Sequence, residues 1–177
     1  MTTARETEIM DFAEREMRKG GLDAFSFRDV AAAIGIKSAS VHYHFPTKAD
    51  LVQRVITRYA DRFVGSLGAA DAADETPHDR VARLADAYTG AYRQEGCSCL
   101  CTVLGSVVTY IPDGSPDKVR DFYNRLSQWL TTALEGKSTD LTPELVISIL
   151  QGAMTLSVAV DRDAPIMDAK RYLLSVL

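Results

Sequence analysis

The fourteen residues from Gly35 to Lys48 constrain the fold more than any other stretch of the chain. Ahead of them Phe27, Val30, Ala31 and Ile34 repeat at i, i+3, i+4 and i+7, which is one face of a helix. Gly35 ends that helix after barely two turns. Behind them Thr47-Lys48-Ala49-Asp50 reads as a capping start for a long helix striped with Val52, Val55, Ile56, Tyr59 and Phe63. Only a short helix fits between, from about Lys37 to Phe45, and its polar residues are small, aromatic or cationic. Two short helices joined by a tight turn, braced by a helix on either side, make a helix-turn-helix.

The rest of the chain extends the helical reading. Ile9, Phe12, Ala13 and Met17 form a first stripe, stopped by Gly20-Gly21, and Ser26 with Asp29 forms a capping box for the second helix. Residues 65–75 are small and polar and read as a loop. Thr76-Pro77, Ser115-Pro116 and Thr142-Pro143 each place a capping hydroxyl before a proline, whose missing N–H is harmless at a first helical position. Gly96, Gly136 and residues 161–165 read as stops, a further helix fits between Ser98 and Tyr110, and no alternating strand pattern competes. The expectation is an all-α fold of about nine helices: a helix-turn-helix head over 1–64, then a larger helical body over 76–177.

Hydrophobic residues at 46% and charged residues at 25% suit a globular protein. No apolar run is expected to span a membrane, and a start dense in Glu and Arg does not read as a signal peptide, so the expected location is the cytoplasm. The net charge of −4 conceals an asymmetry. Residues 28–58 hold five basic and two acidic side chains, a net +3, while the remainder holds 15 and 22, a net −7. A basic head on an acidic body favours nucleic acid at one end only.

On a helical wheel Val41, His44 and Phe45 face inward, and Ala39, Ser40, His42 and Tyr43 face out. Small Ala39 lets the helix approach a groove, while Ser40, His42 and Tyr43 can meet base edges or phosphates. Ser38 and Lys37 lie at the helix start. Ser26 and Arg28 on one side, and Thr47 and Lys48 on the other, are expected to hold phosphates and set register. Heads of this kind work in pairs, about 34–36 Å apart on a palindromic site.

The ordered motif Phe27-Arg28-Asp29-Val30-Ala31, Gly35 to Ser40, and Val41-His42-Tyr43-His44-Phe45-Pro46-Thr47-Lys48 with Leu51 following resembles the N-terminal domain of TetR-family bacterial transcriptional regulators. The resemblance covers residues 5–60. It implies a repressor that binds double-stranded operator DNA as a homodimer and is released by a small-molecule effector. Two residues depart from the family's habit, Lys37 in place of Ser and His42 in place of Tyr. The resemblance also implies an effector pocket in the body, for which Tyr88, Tyr92, Tyr110, Phe122, Trp129 and Met154 are the candidates beside a plain core reading, and a twofold four-helix interface from the last two helices. Leu145, Ile149, Gly152, Ala153, Leu156, Tyr172, Leu173 and Val176 are the candidates there.

Cys97, Cys99 and Cys101 crowd five residues, with Cys97 and Cys101 expected on one helix face. Small apolar packing, electrophile or oxidant sensing, and soft-metal binding are the readings open to them. No other metal set and no cofactor is expected. The three histidines, His42, His44 and His78, stand apart from the cysteines, and neither a glycine-rich phosphate loop nor paired catalytic carboxylates appear, so an enzyme is not expected.

Overall fold

The computed structural model describes residues 2–136 and 140–177. Within them the chain forms nine α-helices and no strand: α1 Ala4–Gly20, α2 Phe27–Ile34, α3 Ser38–His44, α4 Lys48–Ser66, α5 Pro77–Glu95, α6 Leu100–Gly105, α7 Ser115–Ala133, α8 Pro143–Val160 and α9 Ala164–Ser175. Short 3-10 turns at Leu22–Ala24 and Val108–Tyr110 complete it.

The caps explain most of the boundaries. Reciprocal capping boxes open four helices: Thr3 with Glu6, Ser26 with Asp29, Thr47 with Asp50, and Thr76 with Asp79. Thr142 caps α8 through the Leu145 amide at 3.2 Å. Ser115 departs from the expectation. It lies inside the first turn of α7, fully buried, and its hydroxyl has no hydrogen-bond partner. At the other ends, Gly35 and Gly96 adopt left-handed conformations (φ 70° and 61°) and send their amides back to Ala31 and Tyr92.

Contacts divide the chain into two compact units, and the division is not the sequential one expected. The first takes in Met1–Ala60 together with Leu100–Arg120; the second takes in Asp61–Cys99 and Asp121–Leu177. The 100–120 segment joins the first unit because α6 packs on α1 and because the Gln53 amide donates to the Asp113 carbonyl at 2.8 Å. Gly114 (φ 78°) completes that turn, and a Cβ there would stand 2.8 Å from the Gln53 side-chain nitrogen.

The first unit's core is built from Ile9, Met10, Ala13, Met17, Phe25, Val30, Val41, Phe45, Leu51, Val52, Val55 and Ile56. Arg58 ties α4 to α1 through Asp11 at 2.8 Å and the buried Glu14 at 3.1 Å. In the second unit α5, α8 and α9 pack on one another. Helix α8 amends the expectation about membranes: its 18 residues, at a mean hydropathy of 1.5, are long and apolar enough to cross one. One face, with Val146, Ile147, Leu150 and Met154, is buried within the unit, while Leu145, Leu156 and Val160 on the other are exposed.

Two predictions follow from the caps. Hydrogen bonds from Ser26 hold the Asp29 carboxyl below its ordinary range, and those from Thr76 do the same for Asp79. A carboxylate depressed on folding contributes fully above its unfolded value and loses that contribution as pH falls through the folded one. Amide exchange at the starts of α2 and α5 is therefore expected to quicken below about pH 4, and Asp29→Asn to remove that pH dependence from α2 alone. Gly35→Ala, forced to a left-handed backbone, is expected to lower stability by roughly 1–2 kcal/mol in urea unfolding.

Candidate nucleic-acid interface

Helix α3 has only seven residues, too few to persist alone, so its neighbours must hold it. Val41 (0% exposed) and Phe45 (1%) anchor its inner face. The Gly35 turn fixes the entry, with the Ile36 amide also reaching the Ala31 carbonyl at 3.0 Å. Three of the four residues that the wheel turns outward are exposed, and Ser40 and the inward-turned His44 take intermediate positions. Ala39, His42 and Tyr43 are exposed, Tyr43 at 84%, whereas Ser38, Ser40 and His44 are half-buried. The Tyr43 ring stands edge-on to His44, with centroids 5.2 Å apart, which orients it without covering it.

His42 is exposed yet restrained. Its ring meets Phe27 of α2 edge-on at 4.7 Å, and Nδ1 lies 3.4 Å from the Pro46 carbonyl. The shorter side chain at this position thus braces α3 against α2. Lys37 immediately precedes α3, exposed and without a capping bond from its side chain. Arg28 is exposed in the first turn of α2, and Arg54 of α4 lies 5.9 Å from the Phe45 ring.

The side chains expected to grip phosphates from the flanks are mostly engaged within the unit. Ser26 Oγ donates to Asp29 at 2.7 Å, and Thr47 Oγ1 donates to Asp50 at 2.7 Å, so both hydroxyls serve caps. Lys48 turns inward. Its ammonium donates to the carbonyls of Leu22 at 2.6 Å and Phe25 at 2.8 Å, and it sits 4.6 Å from the centre of the Phe25 ring. The reason is chemical: the 3-10 turn between α1 and α2 leaves carbonyls that no helix satisfies, and an ammonium is the best donor within reach. Sequence spacing places Lys48 at a helix start and gives no sign of this bond.

In the second unit the candidate pocket residues separate. Tyr88, Phe122 and Met154 are buried; Phe63 packs edge-on against Tyr88 at 5.0 Å, and its ring centre lies 5.8 Å from that of Phe122. The Tyr92 hydroxyl reaches the Ser157 carbonyl at 3.3 Å. Trp129 is pinned to the loop after α4, donating to Gly68 at 2.9 Å beneath the Arg83 guanidinium. Tyr110 belongs to the first unit and is 86% exposed, so it lines no interior. Gln151, which spacing alone did not single out, joins Tyr123 and Tyr88 by hydrogen bonds of 2.9 and 3.0 Å. Its signal in the sequence is a lone amide on the buried stripe of an apolar helix.

The thiols do not share a helix face, since α6 begins only at Leu100 and Cys97 and Cys99 precede it. All three are buried and none forms a disulfide, and Cys97 Sγ donates to Glu95 at 3.8 Å. Among the described residues no group of three or more His, Cys, Asp or Glu is placed to hold a metal. Of the interface candidates, Leu145, Gly152, Leu156, Tyr172 and Val176 are exposed, and Ile149 and Ala153 are half-buried. Leu173 is fully buried within the second unit, an inward position of α9 that a linear apolar run does not distinguish.

Replacing Lys48 by Met strands two carbonyls that accept from a charged donor. A stability loss of roughly 1–3 kcal/mol is expected in urea unfolding, against less than about 0.5 kcal/mol for Tyr43→Ala.

Comparison with known proteins agrees with this geometry. The sequence profile described as "Bacterial regulatory proteins, tetR family" matches residues 9–55, which hold the whole of α2 and α3. The HTH-type transcriptional repressor KstR2 of Rhodococcus jostii (strain RHA1) is 35% identical over 63 residues, 36% of this chain. The match spans about a third (31%) of that repressor's length. A TetR transcriptional regulator from Legionella pneumophila superposes along the whole chain and 98% of its own, at a TM-score of 0.90 and 27% identity. A TetR-family regulator from Agrobacterium tumefaciens does so over 97% of this chain and 96% of its own, at 0.88 and 26%. The head motif is thus similar to the tetR family of bacterial regulatory proteins over residues 9–55, and the full-length architecture is similar to that of solved TetR regulators.

Proposed function

We propose that this protein is a dimeric DNA-binding transcriptional regulator of the cytoplasm, a repressor released from a palindromic operator when a small molecule binds its helical body. The observation that carries the reading is the outward face of α3. A seven-residue helix held from beneath by Val41 and Phe45 presents Ala39, His42 and an 84%-exposed Tyr43 to solvent. The Tyr43 ring, oriented edge-on by His44 and uncovered on the outward face of the second helix of a helix-turn-helix, is placed to meet a groove. In this reading Ala39 allows close approach, Ser40, His42 and Tyr43 meet bases or phosphates, and Lys37 and Arg28 supply flanking charge. Lys48 acts indirectly by fixing the start of α4.

Pairing supplies the second half-site. Leu145, Gly152, Leu156 and Val160 form an exposed stripe along α8, and Tyr172 and Val176 are exposed on α9. A Cβ built on Gly152 meets no other atom within 4 Å, which suits the close approach of a second helix. Burying such a stripe against its own copy in a closed twofold pair is the economical solution. The thiol-sensing alternative is less well supported, because reactive cysteines are partly exposed and these are 4%, 0% and 0% exposed.

The test begins with a palindromic DNA selected from a random pool by the purified protein. Tyr43→Ala is expected to weaken binding at least tenfold in fluorescence anisotropy without shifting the melting temperature. Equal affinity in the variant would remove α3 from the interface. Leu156→Glu is expected to yield a folded monomer in analytical ultracentrifugation, with specific binding lost at the same protein concentration; an intact dimer would place the interface elsewhere.

A further inference from the structure

The interior of the second unit has a chemical character that narrows what the effector can be, and this inference rests on the regulatory reading above. Among the described residues, the buried polar side chains of that unit are Thr89, Ser98, Gln151 and Ser157, with no Asp, Glu, Lys or Arg. Thr89 donates to its own helix at 2.8 Å, and Ser157 accepts the Ile166 amide at 3.1 Å, so both serve the backbone. Gln151 serves side chains instead. It accepts from Tyr123 of α7 through Oε1 and donates to Tyr88 of α5 through Nε2.

We infer that Gln151, with Tyr88 and Tyr123, is the recognition element for an uncharged, mainly apolar effector that carries a carbonyl or hydroxyl group.

Three observations carry this. First, Gln151 is 92% buried, at 8% exposure, and its side chain makes two hydrogen bonds, leaving one N–H and one oxygen lone pair. Both polar atoms of this buried amide are paired and each can take one more partner, so a ligand that supplies it adds a bond without stranding a protein group. Second, the chain Tyr123 to Gln151 to Tyr88 is directional and neutral throughout. A ligand carbonyl can accept the remaining amide hydrogen, and a ligand hydroxyl can donate to the remaining lone pair, with no bond between protein groups broken. A carboxylate or ammonium would need a counter-charge beside Gln151, and the side chains that bond it are two neutral tyrosines. Third, the surroundings are soft and aromatic. Tyr88 and Tyr123 lie in a cluster with Phe63 and Phe122, and Met154, one turn along α8 from Gln151, is an unbranched side chain that repacks readily around a guest.

The test uses four probes on one ring system: naphthalene, 2-naphthol, 2-acetylnaphthalene and the anion 2-naphthoate. Binding is measured by isothermal calorimetry, and release from the selected DNA by mobility shift. The wild-type protein is expected to bind the phenol or the ketone about tenfold more tightly than naphthalene, the effect of roughly one net hydrogen bond, and to bind naphthoate more weakly than either. Gln151→Leu is expected to bind all the neutral probes alike. Tyr123→Phe, which removes the donor to Oε1, gives a second reading should the leucine variant melt poorly; its preference among the probes is expected to change while its fold persists. Naphthoate binding as tightly as the neutral probes, an undiminished preference in both variants, or no binding of any probe would overturn the inference. Failure of the wild type to bind any selected DNA would instead overturn the regulatory reading, and calorimetry would still decide the ligand class.

Discussion

The ammonium of Lys48 is the contact on which the geometry of the head depends. It holds the carbonyls of Leu22 and Phe25 while lying over the Phe25 ring, so the connection between α1 and α2 and the start of α4 share one anchor. Helix α3 is suspended between that anchor and the left-handed turn at Gly35. Val41 and Phe45 settle its inner face and His42 braces it against Phe27, leaving Tyr43 to project. A seven-residue helix has little stability of its own; its orientation comes from these four restraints.

That arrangement also explains which parts of the interface were legible in the sequence. The inner and outer faces of α3 follow from spacing alone, because 3.6 residues per turn decides where each side chain points. The duty of Lys48 does not. It stands at a helix start, where a phosphate or an internal partner could equally satisfy it, and only the folded backbone reveals that two stranded carbonyls, more than twenty residues away in sequence, arrive first. The caps at Thr76 and Thr142 were readable because all their partners lie within one turn. Ser115 was misread for the converse reason, since packing draws it into the first turn of α7 and buries it.

Longer-range features were hidden for the same physical reason. That residues 100–120 gather with the first sixty depends on α1 meeting α6 and on Gln53 meeting Asp113, contacts between residues far apart in sequence. Tyr110 looked like part of an aromatic interior and is instead exposed on a short 3-10 turn, whereas Gln151 is a buried polar junction between three helices. An apolar run such as α8 marks a helix that is wanted out of water on more than one side. It does not say which side packs inward, as the buried Leu173 of neighbouring α9 also illustrates.

The central claim, that the outward face of α3 meets DNA, is tested most directly by contact mapping. Tyr43 and Tyr110 are equally exposed, at 84% and 86%, and either can be replaced by a photo-crosslinking phenylalanine analogue without disturbing the core. The account predicts that the probe at position 43 crosslinks to bases in both halves of a selected palindrome and that the probe at position 110 does not. Crosslinking from position 110 with none from position 43 would contradict it.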